Sequence, residues 1–250
     1  MNLNKELYKG AENGKLDIVR NILSLGGVDV NWRNSSGETP LWISADNRHI
    51  EVVNLLLQNG ADVDLPNNAR ETPLFRTSIR GYADIVELLL QNGANVNQTN
   101  NNRQTPIYMA SANGHLPVVE LLLKYRPDVN LATLGGSTPL SVAVNNGNKE
   151  IVKMLLSNGA TINGIRANKK QNDAINKILD NWPTTMWFVM LEELFVKHLV
   201  DAESIDLFFQ FYGNTGEGVK RRKTIRKGIK KKRKTIKKKK TVKFSKKLFI

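Results

Sequence analysis

The sequence contains no cysteine, which excludes disulfides, thiolate metal sites and cysteine nucleophiles. Histidine is scarce, with three in 250 residues. Long apolar runs are missing as well. The most apolar stretch, MWFVMLEELFVKHLV at 186–200, is interrupted by Glu192, Glu193, Lys197 and His198 and is too short to span a bilayer. The opening MNLNKELYKG lacks the apolar core of a secretory signal. Together these absences predict a soluble intracellular protein, nuclear or cytoplasmic, in which the glycosylation-like triplets at Asn34 and Asn97 carry no meaning.

Acidic residues are absent from one end only. Residues 220–250 hold 18 Lys and Arg and no Asp or Glu, whereas residues 1–219 hold 19 basic and 23 acidic side chains. The formal charge of +14 therefore belongs to a terminal polycation, and the body is mildly acidic. A basic groove on the body is not expected.

What is present is a period. ETPLW, ETPLF, QTPIY and STPLS begin at Glu38, Glu71, Gln104 and Ser137, each 33 residues after the last. VVNLLLQNGADVD (52–64) returns in the same register as IVELLLQNGANVN (85–97), VVELLLKYRPDVN (118–130) and IVKMLLSNGATIN (151–163), and IVRNILSLGGVDVN (18–31) is a fainter first copy. Thr39, Thr72, Thr105 and Thr138 sit where an N-cap hydroxyl accepts an orphan backbone N–H, and the following proline suits the first helical position. Gly81, Gly114 and Gly147 are placed to end that helix in the left-handed region. The second helix carries V-V-x-L-L-L at helical spacing and stops on Asn-Gly. Two helices of about ten residues cannot bury their own apolar faces, but stacked units can, so the pattern predicts a solenoid.

These residues closely resemble the ankyrin repeat, whose pattern is G-x-T-P-L-H-x-A…G-x-x-x-I/V-V-x-x-L-L-x-x-G-A-D-V-N. The resemblance covers roughly residues 3–165. It implies an all-α solenoid of about five helix–turn–helix repeats, a loop projecting from each repeat, and a concave face that binds other proteins. Trp42, Phe75, Tyr108 and Ser141 replace the family's histidine, so packing is expected in place of a polar bridge between repeats. Arg48 stands at the helix-ending glycine, at a cost of about 1 kcal/mol if it adopts the left-handed region. Arg70 and Arg103 replace the turn glycine. Arg126-Pro127 replaces Gly-Ala, which leaves that loop's conformation open. Pro117 is harmless if it lies in the first turn of its helix.

The period stops near residue 165. QNDAINKILDNWP (171–183) predicts a helix with Ala174, Ile175, Ile178 and Leu179 on one face, followed by helices at 186–200 and 203–213. The chain is thus expected to divide into a solenoid (1–165), a helical capping module (166–213) and a disordered Lys/Arg-rich tail (214–250). The capping module alternatively recruits a second partner. The repeats, the WPTTM-to-IDLFFQFYG segment and the basic tail together resemble ankyrin proteins of large DNA viruses, for which the location would be the host cell.

No catalytic constellation emerges. GNTGEGVK (213–220) approaches a phosphate-binding loop but lacks the Gly-Lys-Ser/Thr ending, and it follows an expected helix rather than a strand. His49, His115 and His198 read as scattered over unrelated repeat positions without ligand spacing. Asp62, Asp64 and Asp128 recur in a loop-closing motif that structural hydrogen bonding explains. No enzyme activity, cofactor or metal is expected, and the protein is expected to be a monomer.

The partner-binding residues that the resemblance implies lie on loop tips and the exposed end of the first helix of each repeat. They are Ser35, Ser36, Glu38, Asp46 and Asn47; then Asn68, Ala69, Glu71, Ile79 and Arg80. The next two repeats add Asn101, Asn102, Gln104, Ala112 and Asn113, then Leu134, Ser137, Asn145 and Asn146. Trp42, Phe75 and Tyr108 would add anchors if partly exposed. In the tail, Lys220, Arg221, Arg222 and Lys223, and Lys230, Lys231, Lys232, Arg233 and Lys234, resemble short nuclear localisation signals read by an import receptor. The same cations suit a non-specific nucleic-acid arm that contacts phosphates, since no aromatic is interleaved to stack on bases. A solvated or membrane-surface tail, using the loose spacing of Ile225, Ile229 and Ile236, is the third and least favoured alternative.

Overall fold

The computed structural model describes residues 2–162 and 175–179. Residues 2–162 form ten helices and no strand: α1 (Leu3–Glu12), α2 (Leu16–Leu25), α3 (Pro40–Asp46), α4 (Ile50–Gln58), α5 (Pro73–Arg80), α6 (Ala83–Gln91), α7 (Pro106–Asn113), α8 (Leu116–Lys124), α9 (Pro139–Asn145) and α10 (Lys149–Ser157). They pair in sequence into five repeats. The odd-numbered helices pack on one another in order as one layer, and the even-numbered helices form a second.

The threonines begin their helices as the sequence predicts. Thr39, Thr72, Thr105 and Thr138 are extended N-caps whose hydroxyls accept the N–H of Trp42, Phe75, Tyr108 and Ser141 at 3.0–3.2 Å, each with proline in the first turn. Gly81 and Gly114 close α5 and α7 in the left-handed region. In α9 the cap falls one residue earlier, on Asn146, and Gly147 follows with φ 78°. Pro117 lies in the first turn of α8.

The four arginines in glycine positions take the glycine conformation: φ is 61° at Arg48, 61° at Arg70, 57° at Arg103 and 53° at Arg126. The loop at Arg126-Pro127, left open by the sequence, therefore keeps the left-handed residue of its sister repeats but loses the bond that Ala61, Ala94 and Ala160 N–H make to Leu56, Leu89 and Leu155 O, since proline has no N–H.

The apolar stripe becomes a ladder. Leu41, Leu74, Ile107 and Leu140 in the odd layer, and Val53, Val86, Val119 and Val152 in the even layer, are all 0% exposed. Leu56, Leu89, Leu122 and Leu155 continue it, also at 0%. A nine-residue helix is marginal alone, and each leucine buried contributes about 2 kcal/mol only because a neighbouring repeat covers it.

A polar chain ties the loops after the even helices. Asn31 Oδ1 accepts the N–H of Asp62, Asp64 accepts that of Asn95, Asn97 that of Asp128, and Asn130 that of Thr161, all at 2.8–3.1 Å. The recurring Asp and Asn residues are thus structural, as their spacing suggests.

Residues 175–179 are helical, with Ile175 and Leu179 buried, within the same compact unit Met1–Leu179. The helices expected at 186–200 and 203–213, the rest of the capping module and the basic tail lie outside the described residues.

Candidate functional site

The predicted binding residues lie in the loop tips before the odd helices and at the C-terminal ends of those helices. Each projecting loop closes on a hydrogen bond from residue 34, 67, 100 or 133 to the carbonyl four residues on, at 2.9–3.1 Å. Asn34, Asn67 and Asn100 also use Oδ1 to accept the backbone N–H groups two and four residues ahead. The tips are joined to each other. Asn68 N–H donates to Ser36 O at 2.9 Å, Asn101 N–H to Ala69 O at 3.2 Å and Leu134 N–H to Asn102 O at 3.0 Å. Ser35, Ser36, Asn68, Ala69, Asn101, Asn102 and Leu134 are all exposed, and Leu134 reaches 67%.

Asp46 requires correction. It was expected to face a partner, but it is 9% exposed. Arg76 Nε and Arg80 Nε donate to its Oδ1 at 2.7 and 2.8 Å, and the Arg76 guanidinium also lies 5.6 Å from the Trp42 ring centre. Burial alone would raise the Asp46 pKa, but the hydrogen bonds from Arg80 and Arg76 outweigh it and hold the carboxyl below the usual aspartate value. Arg80 is held still more firmly charged by the same ion pair. Asp46 and Arg80 are therefore partners of each other first.

Trp42 and Phe75 are not partner anchors either, being 3% and 1% exposed. Trp42 also keeps a polar bridge that packing was expected to replace: its indole N–H donates to Glu71 O of the next repeat at 2.9 Å. Ser141 completes a capping box, with its hydroxyl accepting Thr138 N–H at 2.8 Å. Of the four, Phe75 fits the packing expectation and Tyr108 is half-buried.

Several other predicted residues spend their polar groups internally. Asn47 donates to Glu12 O and Asn146 to Ala112 O. Asn113 donates to Met109 O, and Glu38 accepts from both Tyr8 and Asn34. Glu71 accepts from Asn67, Gln104 accepts from Asn100, and Ser137 pairs with Ser141. Burial, with Glu38 beside it, pushes the Tyr8 phenol well above its ordinary value, so it stays a neutral donor. Ile79 and Ala112 are half-buried, and Asn145 is exposed.

His49 and His115 are not scattered. They are two periods apart and occupy equivalent N-cap positions on α4 and α8. Nε2 of His49 donates to Glu12 O at 3.1 Å and Nε2 of His115 to Ile79 O at 2.8 Å, each reaching the odd helix of the preceding repeat. Asn148 does the same from α10, donating to Ser111 O at 2.9 Å. The imidazoles close in on Gly14 and Gly81, where a Cβ would come within 2.6 Å of Nδ1. Counting from the repeat rather than between histidines would have found this role. No group of three or more His, Asp or Glu that could hold a metal occurs among the described residues, and no described helix is long and apolar enough to cross a membrane.

The charges of this face are unevenly spread, which the repeat pattern alone does not reveal. They collect toward the first three repeats, at Glu38, Asp46, Glu71, Arg76 and Arg80, whereas α7 and α9 contain no charged residue. There Tyr108, Met109 and Val142 are half-buried beside the predicted Ala112 and Asn145. Helical spacing puts 108 and 109 on the side of 112, and 142 on the side of 145.

Among known proteins, the family described as ankyrin repeats (three copies) matches residues 7–100 and 78–166. No curated protein matches the chain.

Proposed function

The chain belongs to the ankyrin repeat family, and from that premise we propose that it is a non-enzymatic scaffold that holds a partner protein on the exposed face of its odd helices. Ankyrin repeats are generally protein–protein interaction modules. The observation that carries the reading is the charge-free stretch over α7 and α9. Interface centres are depleted in charge and enriched in aromatic residues and methionine, and Tyr108 and Met109 on α7 supply both. The predicted tip residues then form a polar rim. Met109→Glu with Val142→Glu is expected to weaken binding of the chain's cellular partner at least tenfold, through buried unpaired charge, while the circular-dichroism spectrum stays helical. Unchanged capture of that partner would move the site elsewhere.

The polycation at 220–250 serves, in this proposal, to direct the scaffold to the nucleus or to polyanions. The alternative is a nucleic-acid-associated protein in which Lys220–Lys223 and Lys230–Lys234 contact DNA or RNA non-specifically. What favours a confined role for the tail is charge: residues 1–162 carry 15 acidic and 14 basic side chains, so the repeats add no attraction for phosphates. If the tail binds nucleic acid, engaging about half of its cations gives a log–log salt slope of roughly −6 to −8. Truncation after Gly218 should then abolish that binding and leave repeat unfolding unchanged. Tight DNA or RNA binding by the truncated chain at physiological salt would place a phosphate site in the body.

A further inference from the structure

Four loop tips share one turn, and two of them carry a cation where the other two carry glycine. Gly37, Arg70, Arg103 and Gly136 are one period apart, with φ of 78°, 61°, 57° and 77°. A non-glycine residue in this region is strained; the shared repeat backbone holds it there, and such residues cluster at functional sites.

Two other arginines near such turns have an internal use, whereas Arg126, with φ 53°, is exposed and also lacks a side-chain partner among the described residues, but stands alone rather than on a row of tips. Arg33 donates to Gly37 O at 3.0 Å and to Pro66 O at 2.7 Å. Arg48, itself left-handed, donates to Asp84 at 3.2 Å and lies 5.2 Å from the Tyr82 ring centre. Arg70 and Arg103 are exposed, and among the described residues neither side chain has a hydrogen bond, ion pair or ring partner. Their backbones are nonetheless fixed. Arg70 N–H donates to Asn67 O at 2.9 Å and Arg103 N–H to Asn100 O at 3.0 Å, and the tips between them are joined by the bond from Asn101 to Ala69. Arg70 and Arg103 thus branch from fixed backbones on neighbouring tips, one repeat apart, a spacing of about 10 Å for packed helices, with their guanidinium groups unpaired among the described residues.

We infer that Arg70 and Arg103 form a cationic clamp on the loop edge for an extended, acidic protein segment, with each guanidinium pairing a carboxylate. The inference rests on the partner-binding reading above and names the chemistry of the partner's rim. Carboxylates two to four residues apart in an extended chain span about 7–13 Å, which matches the arginine spacing. Arginine forks take carboxylates bidentately. Nucleic acid is the poorer occupant, because its affinity comes from neutralising many phosphates at once, and this edge offers two cations on repeats that carry slightly more acid than base.

The test uses the full chain and a photoreactive decapeptide of alternating Glu and Ser, with cross-links mapped by mass spectrometry. The basic tail will also capture this probe, and its cross-links serve as the internal reference. Cross-links are expected at the tips around residues 68–70 and 101–103. In Arg70→Gly/Arg103→Gly they should fall at least about tenfold relative to the tail, since hydrogen bonds to charged groups are the stronger kind and both forks are removed at once. The melting temperature should stay equal or rise, because glycine relieves the strain. Arg126→Gly, which removes an equally left-handed arginine elsewhere, should leave the tip cross-links unchanged. Absence of tip cross-links in the natural chain, or their persistence in the double variant, overturns the clamp. A photoreactive single-stranded oligonucleotide that labels the tips more strongly than the peptide overturns the choice of a protein segment. If the clamp fails while cellular partner capture still depends on Met109 and Val142, the scaffold reading stands without it; insensitivity of capture to those two residues removes the scaffold reading itself.

Discussion

Phe75→Ala is expected to cost about 3–5 kcal/mol, the range for removing a fully buried phenylalanine and leaving a cavity. Phe75 is 1% exposed on α5, the middle helix of the odd layer, which packs on α3 and α7. A solenoid has no distant packing to share the loss, so stability is a sum of repeat and nearest-neighbour terms. The damage therefore falls on the two interfaces at α5. Urea unfolding followed by circular dichroism should shift to lower midpoint and broaden or split, as the repeats on either side uncouple. A loss below about 1 kcal/mol with a single sharp transition would show that the middle repeat is not where the stack is held together.

Asp46→Ala is expected to cost about 2–3 kcal/mol, since it leaves two arginines without their carboxylate while Arg76 remains largely buried. Asp46→Asn should lose nearly as much, because the amide can accept but carries no charge. Arg80→Ala should lose less, as Arg76 still neutralises Asp46. The pH dependence has a definite sign. The folded-state pKa of Asp46 lies below its unfolded value, so its contribution is complete above about pH 4 and is lost as pH falls through the folded value. Asp64 acts in the opposite sense: burial, aided by the nearby Asp62, raises its carboxyl despite the bond from Asn95, so protonating it on acidification relieves a cost. Comparing the natural chain with Asp46→Asn at each pH isolates Asp46. Equal acid sensitivity in the two proteins would show that the carboxyl is not held ionised by its arginines.

Much of the fold was legible because each repeat repeats its own instructions. The Thr-Pro pairs, the glycine stops and the V-V-x-L-L-L stripe act within a few residues of themselves, and a fixed period multiplies a weak local signal. Arg48, Arg70 and Arg103 were legible as replacements for glycine, and the structure shows that they keep its left-handed turn, since a shared backbone overrides the preference of one side chain. The loop tips were legible as a row, because a solenoid turns equal sequence spacing into a line in space.

The candidate site was less so. Asp46 was placed on the partner face by its repeat position, yet Arg76 and Arg80 lie 30 and 34 residues away in sequence and reach it only across the stacked helices. His49, Trp42 and Asn146 likewise find their carbonyl partners in the adjacent repeat. The sequence by itself determined the repeat helices, their threonine N-caps, their register and the division between an acidic body and a cationic end, because all of these follow from local chemistry and composition. Only the tertiary structure decided which polar groups were spent in holding repeats together and which were left without an internal partner among the described residues. That distinction turns on side-chain reach across repeat interfaces, and the local pattern is the same whether a partner waits there or not.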